Sequence, residues 1–271
     1  MKRLIKLAIS LVIRAWDVVA ASVLRLVGSK PPPICVVLYY HAVAAERRGR
    51  FAAQMDRLLR HAKPIAADHR GPLESGNRYA AVTFDDGFIS VLQNALPELA
   101  SRRIPASIFV PTGSLGRPPI WIKDPNAPNR KETVLSEDEL KSLKGTELVT
   151  IGSHSVNHPN LVKSEPARAR AELADSKSAL ERILGVEVTV FSFPHGAHNE
   201  SLVQMAREAG YRRVFTILPR LAFTDGNDFV TGRTLVDPAD WAWEFTLKLL
   251  GAYRWLSAVS ALKGRLWRSS P

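Results

Sequence analysis

Along the N-terminal stretch that ends near residue 27, the polar side chains Arg3, Lys6, Ser10, Arg14 and Asp17 recur at three- and four-residue intervals, so they share one face of a helix. Leu4, Leu7, Ile9, Leu11, Val12, Ile13 and Trp16 cover much of the remaining surface. Arg14 and Asp17 divide the stretch into the apolar runs Leu7–Ile13 and Val18–Leu24, each well short of the roughly 20 residues a spanning helix needs. Lys2-Arg3-Leu4 and Val19-Ala20-Ala21 have the look of a signal peptide's start and cleavage site, but charges inside the apolar stretch argue against that reading. The pattern predicts an uncleaved, membrane-facing amphipathic helix. A signal or anchor and a helix docked on its own domain are the alternatives.

Pro31-Pro32-Pro33 stops this helix. Beyond it, short β-branched and aromatic runs alternate with amphipathic stretches. Strands are predicted at Cys35–Tyr39, Ala80–Phe84, Ala106–Val110, Glu147–Ile151, Val188–Phe193, Arg213–Ile217 and Phe229–Val236, and helices at Phe51–His61, Val91–Arg103, Ser136–Leu143, Pro166–Leu184 and Ser201–Ala209. Ser136 with Glu139 reads as a capping box, and Gly185 and Gly210 as helix stops. Strands alternating with helices imply an α/β fold with a parallel sheet, and seven strands suit an incomplete barrel as well as an open sheet. Residues 116–131, rich in Pro, Asn and charge and including Trp121, form a long surface loop of the kind that often carries function. Three regions follow: a basic amphipathic helix (1–30), a central α/β domain (31–237) and a basic, Trp-rich helical segment (238–271).

Composition sharpens that division. The 271 residues are 46% hydrophobic and 23% charged, enough to bury a sizeable core. The single cysteine, Cys35, rules out an intramolecular disulfide and a multi-cysteine zinc site. Six Lys/Arg against Asp17 alone give residues 1–30 a charge of +5, and five against Asp240 and Glu244 give residues 239–271 a charge of +3. Of the net +11, only +3 therefore falls on the middle, an ordinary balance for a soluble domain. Trp16, Trp241, Trp243, Trp255 and Trp267 also lie in the two ends. Basic residues mixed with Trp and Leu suit a membrane surface, whereas nucleic-acid binding would put charge and a motif on the core. Peripheral contact with the cytoplasmic face of a membrane through both termini is expected, with export or N-terminal anchoring as alternatives, and no nucleic-acid partner.

Four segments at predicted strand ends carry the candidate chemistry, since ligands of parallel α/β folds bind at that edge. In Thr83-Phe84-Asp85-Asp86-Gly87, adjacent carboxylates favour a cation or a shared proton, though Asp-Asp-Gly is also a common turn. His154 and His158, four apart, meet one metal if the stretch makes a helical turn, and otherwise form a polar loop. Together, two imidazoles and one carboxylate make the three-ligand set of a hydrolytic zinc site. Phe191-Ser192-Phe193-Pro194-His195-Gly196 ends a strand in a tight turn whose backbone N–H could face an oxyanion. Tyr39-Tyr40-His41 places a histidine at the end of the first core strand, as an acid, a ligand or a satisfied polar residue.

These segments resemble the polysaccharide deacetylase family, also called the NodB-homology or carbohydrate esterase family 4 group, over roughly Pro33–Val236. Thr83–Gly87 matches its first motif and His154–His158 its second, flanked by the familiar Ile151-Gly152-Ser153 and Pro159-Asn160-Leu161. Phe191–Gly196 resembles the variant third motif, with His195 where an aromatic is usual. Tyr40-His41 resembles members whose final histidine motif is moved to the front. The resemblance implies an incomplete, distorted (β/α)7 barrel. It also implies Asp85 as general base, Asp86, His154 and His158 as metal ligands, His41 as general acid and the His195 backbone N–H as an oxyanion donor. The implied metal is divalent, zinc by default, with cobalt or nickel able to use the same ligands.

The implied reaction is removal of an N-acetyl group from an acetylated amino-sugar glycan or polyprenyl-linked saccharide. A deformylase or O-deacetylase and a non-catalytic sugar-binding relative are the other classes. Two departures stand out. Ser192 occupies the place where the commoner third motif has arginine, and Arg233 on the last predicted strand is the candidate to replace its charge. Asp240-Trp241 looks like the fourth motif but falls too late in the chain.

Overall fold

Side chains along strand β1 (Ile34–Tyr40) point alternately into two apolar environments, and that alternation organises the molecule. Cys35 and Val37 join Ala81, Phe109, Val190 and Phe215 in an inner cluster. Val36, Leu38 and Tyr40 join the larger cluster beneath the helices. The computed structural model describes residues 2–224 and 228–260.

The core continues through α2 (Arg48–His61), β2 (Lys63–Pro64), β3 (Arg78–Phe84), α3 (Leu96–Ser101), β4 (Ala106–Val110), α4 (Glu137–Ser142) and β5 (Val149–Ser153). It ends with α5 (Pro166–Leu184), β6 (Val190–Ser192), α6 (Glu200–Glu208), β7 (Arg213–Phe215), β8 (Val230–Thr231), β9 (Thr234–Leu235) and α7 (Ala242–Leu249). All pairings between these strands are parallel, in the order β8-β7-β6-β5-β4-β3-β1-β9, with β2 beside β3. Strands β8 and β9 stand at opposite ends of that order, yet only Gly232 and Arg233 separate them in sequence. The sheet therefore curls until its two ends share one segment, which is the expected distorted α/β barrel. Phe229–Val236, expected as one strand, is split at the seam where Arg233 turns into the interior, fully buried.

Local signals hold where they rest on explicit hydrogen bonds. Ser136 and Glu139 form the capping box, and α5 ends at Gly185 with φ 65°. The stretch expected as one helix from Val91 instead opens with a π turn, Val91–Ala95, before α3.

Helix α1 (Lys2–Leu26) is continuous, and by length and composition it is long and apolar enough to cross a membrane, despite Arg14 and Asp17. Those polar residues face the protein instead. Asp17 takes a two-pronged ion pair from Arg254 (2.6 and 2.9 Å), Arg3 pairs with Glu244, and Trp255 Nε1 donates to the buried Ser10 Oγ (3.1 Å). Leu7 packs with Leu247, Ala252 and Tyr253. Of the C-terminal segment, residues 261–271, with Trp267, lie outside the described residues.

Candidate active site

Period-two alternation delivers the first site residue. Tyr79 and Ala81 face the barrel interior, so Thr83 and Asp85 continue the same inward row to the carboxyl end of β3. At that end Asp85 N–H donates to the Tyr40 carbonyl (2.9 Å). Asp86 and Gly87 then take left-handed backbone conformations, with φ of 70° and 59°. A Cβ at Gly87 would lie 2.9 Å from Val110, so glycine is required for the turn's approach to β4 as well as for its φ.

His154 and His158 follow β5, but not on a helical turn. Their segment is an irregular loop with Ser155 and His158 at φ 66° and 54°. The helical turn is thus corrected to a loop, whose shape comes from α5. There the buried Glu172 accepts the Val156 and Asn157 N–H groups (both 2.8 Å) and the Asn157 side-chain amide (2.8 Å). Ser155 Oγ accepts the His158 N–H (3.0 Å). Glu172 escaped sequence reasoning because an acidic residue inside an amphipathic helix reads as solvated surface.

The candidate ligand atoms converge. His158 Nε2 lies 3.4 Å and His154 Nε2 3.7 Å from Asp86 Oδ1, with the two nitrogens 3.2 Å apart. His154 Nδ1 is 2.7 Å from the Ser192 carbonyl, which can only accept, so Nδ1 carries the proton and Nε2 presents its lone pair. Burial lowers the pKa of His154 to about 4 and that of His158 to about 2, so both are neutral near pH 7. Burial, reinforced by Asp85, raises Asp86 well above the usual carboxylate range. Its buried Oδ1 has no hydrogen-bond partner. Lone pairs facing an unpartnered carboxylate oxygen repel one another unless a cation lies between them, and these three residues could hold a metal ion.

Asp85 has a different environment. Arg233 Nη1 and Nη2 donate to its two oxygens at 2.8 and 2.7 Å. The same guanidinium donates to Ser192 Oγ (2.7 Å), Thr83 Oγ1 (3.1 Å) and the Thr216 carbonyl (3.2 Å), and lies 4.7 Å from the Tyr39 ring centre. Burial pushes Asp85 upward, but Arg233, joined by His154 and His41, pulls the other way and the carboxyl is held well below its ordinary range. Neighbouring aspartates are thereby driven apart, one firmly ionised and one starved of a positive partner.

Both remaining histidines reach the same opening. A cleft of about 390 Å³ is lined by His41, Asp85, Asp86, His154, His158 and His195, with Tyr39, Ile217 and loop residues including Trp121 and Asn129. Burial lowers the His41 pKa, with Asp85 pulling the other way. His195, at φ 58°, sets its ring edge-on to His158 at 4.6 Å between centres. Trp121 stacks on His158 (4.7 Å, 22° between planes), bringing the long loop over the ligand cluster. Asp240 does not line this cleft; it pairs with Lys248 (2.7 Å).

Residues 73–214 match the family model described as polysaccharide deacetylase. The chain is 28% identical over 157 residues to YxkH of Bacillus subtilis (strain 168), covering 58% of this chain and 51% of that one. It is 25% identical over 175 residues to poly-beta-1,6-N-acetyl-D-glucosamine N-deacetylase of Staphylococcus aureus (strain MSSA476), covering 62% and 57%. It thus spans little more than half the length of these curated relatives. Among solved structures, IcaB from Ammonifex degensii superposes with a TM-score of 0.65 at 26% identity, covering 81% of this chain and 98% of that one. A family match across more than half the chain, with the motifs drawn into one cleft of the matching fold, identifies this chain as a member of the polysaccharide deacetylase family.

Proposed function

We propose that this chain is a metal-dependent hydrolase that removes the N-acetyl group from an acetylated amino-sugar in a polysaccharide or a polyprenyl-linked saccharide. The observation that carries this reading is the convergence of Asp86, His154 and His158, three residues that could hold a metal ion, with the Arg233-held carboxylate of Asp85 in one cleft. When bound there, a divalent cation such as zinc supplies Lewis acidity, which polarises an amide carbonyl and lowers the pKa of a water molecule.

The chain's own groups would divide the remaining work. Asp85, ionised and oriented by Arg233, accepts the proton of the attacking water, using lone pairs that Arg233 leaves free. The His195 backbone N–H, on its tight turn, donates to the oxygen that gains charge. His41, just past β1 and at the same sheet edge as Asp85 on the neighbouring β3, gives a proton to the departing amine, since an amide nitrogen leaves poorly as an anion. The products are acetate and a free amino sugar. Poly-beta-1,6-N-acetyl-D-glucosamine N-deacetylases among the relatives support the N-acetyl amino-sugar class.

The polyprenyl-linked part of the reading, with peripheral contact at a cytoplasmic membrane face, is supported by the charge and tryptophan of the two ends. The test is acetate release from soluble and polyprenyl-linked N-acetylated saccharides, with formylated and O-acetylated analogues in parallel. Preference for the N-acetyl lipid-linked substrate supports the reading, and turnover of only a formyl or O-acetyl group overturns it.

A further inference from the structure

Helix α1 is docked with its polar face inward, which leaves its apolar face to solvent. Ile5, Ile9, Val12, Trp16, Val19 and Val23 follow one another at alternating intervals of four and three residues and form an outward stripe. Val12 and Trp16 are 71% and 70% exposed. Leu4, Ala8, Leu11, Ala15 and Val18 form a second exposed stripe beside the first. No charged residue interrupts either one. The combined arc covers about half the helix circumference at 100° per residue. A helical partner would need only a narrow seam flanked by charge.

The flanks of the arc are cationic. Lys6, Arg25 and Lys30 are exposed, and Asp17, the one acidic residue of the first thirty, is occupied by Arg254. The direction of the helix matters as well. Its start, Arg3 and Lys6, lines a cavity with Ile217 and Leu235, and Ile217 also lines the catalytic cleft. Its far end leads through Pro31–Pro33 to the start of β1, at the opposite end of the barrel.

We propose that this outward arc seats in the headgroup layer of an anionic bilayer with α1 lying flat. The barrel axis then runs along the membrane plane and the catalytic cleft opens at the lipid boundary. The ion pairs of Asp17 and Arg3 hold the other face of the helix to the protein, so it lies on the membrane rather than crossing it. This inference rests on the membrane-surface part of the proposed function and deepens it by fixing the contacting face and the orientation of the site.

The test uses the full chain and vesicles of phosphatidylcholine with and without phosphatidylglycerol. Sedimentation with the anionic vesicles is expected, and Val12→Glu combined with Val19→Glu should lower the bound fraction roughly tenfold or more. Nitroxides on cysteines placed singly at Ile5, Val12, Val19 and Leu26 should report one shallow depth; Cys35 is buried and does not compete for label. Depths that step across the bilayer would overturn the proposal. So would a lack of vesicle binding alongside self-association that the Glu variant abolishes. Hydrolysis of a soluble N-acetylated saccharide is read in the same variant. A wild-type rate with lost binding supports the docking face, whereas binding without hydrolysis by wild type overturns only the chemical assignment.

Discussion

Arg233 grips Asp85 across the seam of the barrel, with two terminal nitrogens 2.8 and 2.7 Å from the two carboxylate oxygens and no solvent around the guanidinium. The commoner family pattern would bring an arginine from the Ser192 position. Here Ser192 is itself a partner of Arg233 (2.7 Å), so the charge enters from the last strand and the serine makes room for it. Splitting that strand at Gly232-Arg233 is what lets the side chain turn inward. A Cβ at Gly232 would lie 2.2 Å from the Leu218 carbonyl oxygen, which makes glycine necessary beside it.

Removing Arg233 should therefore harm both folding and chemistry. Arg233→Ala leaves a buried carboxylate unpaired, a loss of about 3–5 kcal/mol, read as a lower denaturation midpoint. In the wild type, Asp85 is ionised well below its usual range, so its contribution to stability is present above the unfolded value near about 3.9 and is lost as pH falls through the folded value. Without Arg233, burial raises Asp85 and the acid limb of kcat/KM moves to higher pH. An unchanged limb in a folded variant would contradict the role given to Arg233.

Asp85→Asn separates base from ligand set. Acetate release should fall by roughly 10²–10⁴-fold while metal still binds to Asp86, His154 and His158. Metal content measured on the purified variant decides the point, and loss of both together would count against Asp85 as base.

Metal uptake should release a proton, and Asp86 is its source. Burial keeps His154 near about 4 and His158 near about 2, so neither holds a proton at pH 7, whereas Asp86 is raised. Calorimetric titration in buffers of different ionisation enthalpy measures the protons released per metal. Release rises as pH falls, because more Asp86 is protonated beforehand. Two protons would mean that a histidine is charged in the free protein.

Glu172 should matter to the metal without touching it. Glu172→Ala frees two backbone N–H groups of the His154–His158 loop, and metal affinity should fall by about 10–100-fold. Glu172→Gln keeps an acceptor for those groups and should recover most of the loss. Equal affinity in all three proteins, measured by competition with a chelator, would make Glu172 merely a packing residue.

Much of this was legible beforehand because the signals are local or periodic. β-branched runs marked the longer strands, and inward alternation carried Asp85 to the strand end. The two motifs also named the three residues, Asp86, His154 and His158, that gather into a cluster able to hold a metal ion. Features that depend on distant partners were not legible. The polar stripe on α1 left a membrane-facing helix and a docked helix both open, because the partners that dock it, Arg254 and Glu244, lie at the other end of the chain. The loop of His154–His158 resembled a helical turn by spacing alone, since Glu172, which shapes it, lies on another element. Strands β8 and β9 read as one because propensity cannot register a seam at which a chain changes neighbours.

The central claim is metal-assisted hydrolysis of an N-acetyl amino sugar in the cleft of Asp85, Asp86, His154 and His158. It is tested most directly by measuring acetate and free amine together, from an N-acetylated glucosamine oligosaccharide, on protein stripped by chelation and then given back one equivalent of zinc. Negligible release is expected from the stripped protein, with restored release of acetate and amine in equal amounts once zinc is returned, and no restoration in His154→Ala or His158→Ala. Undiminished release from stripped protein, or full restoration in either histidine variant, would contradict it.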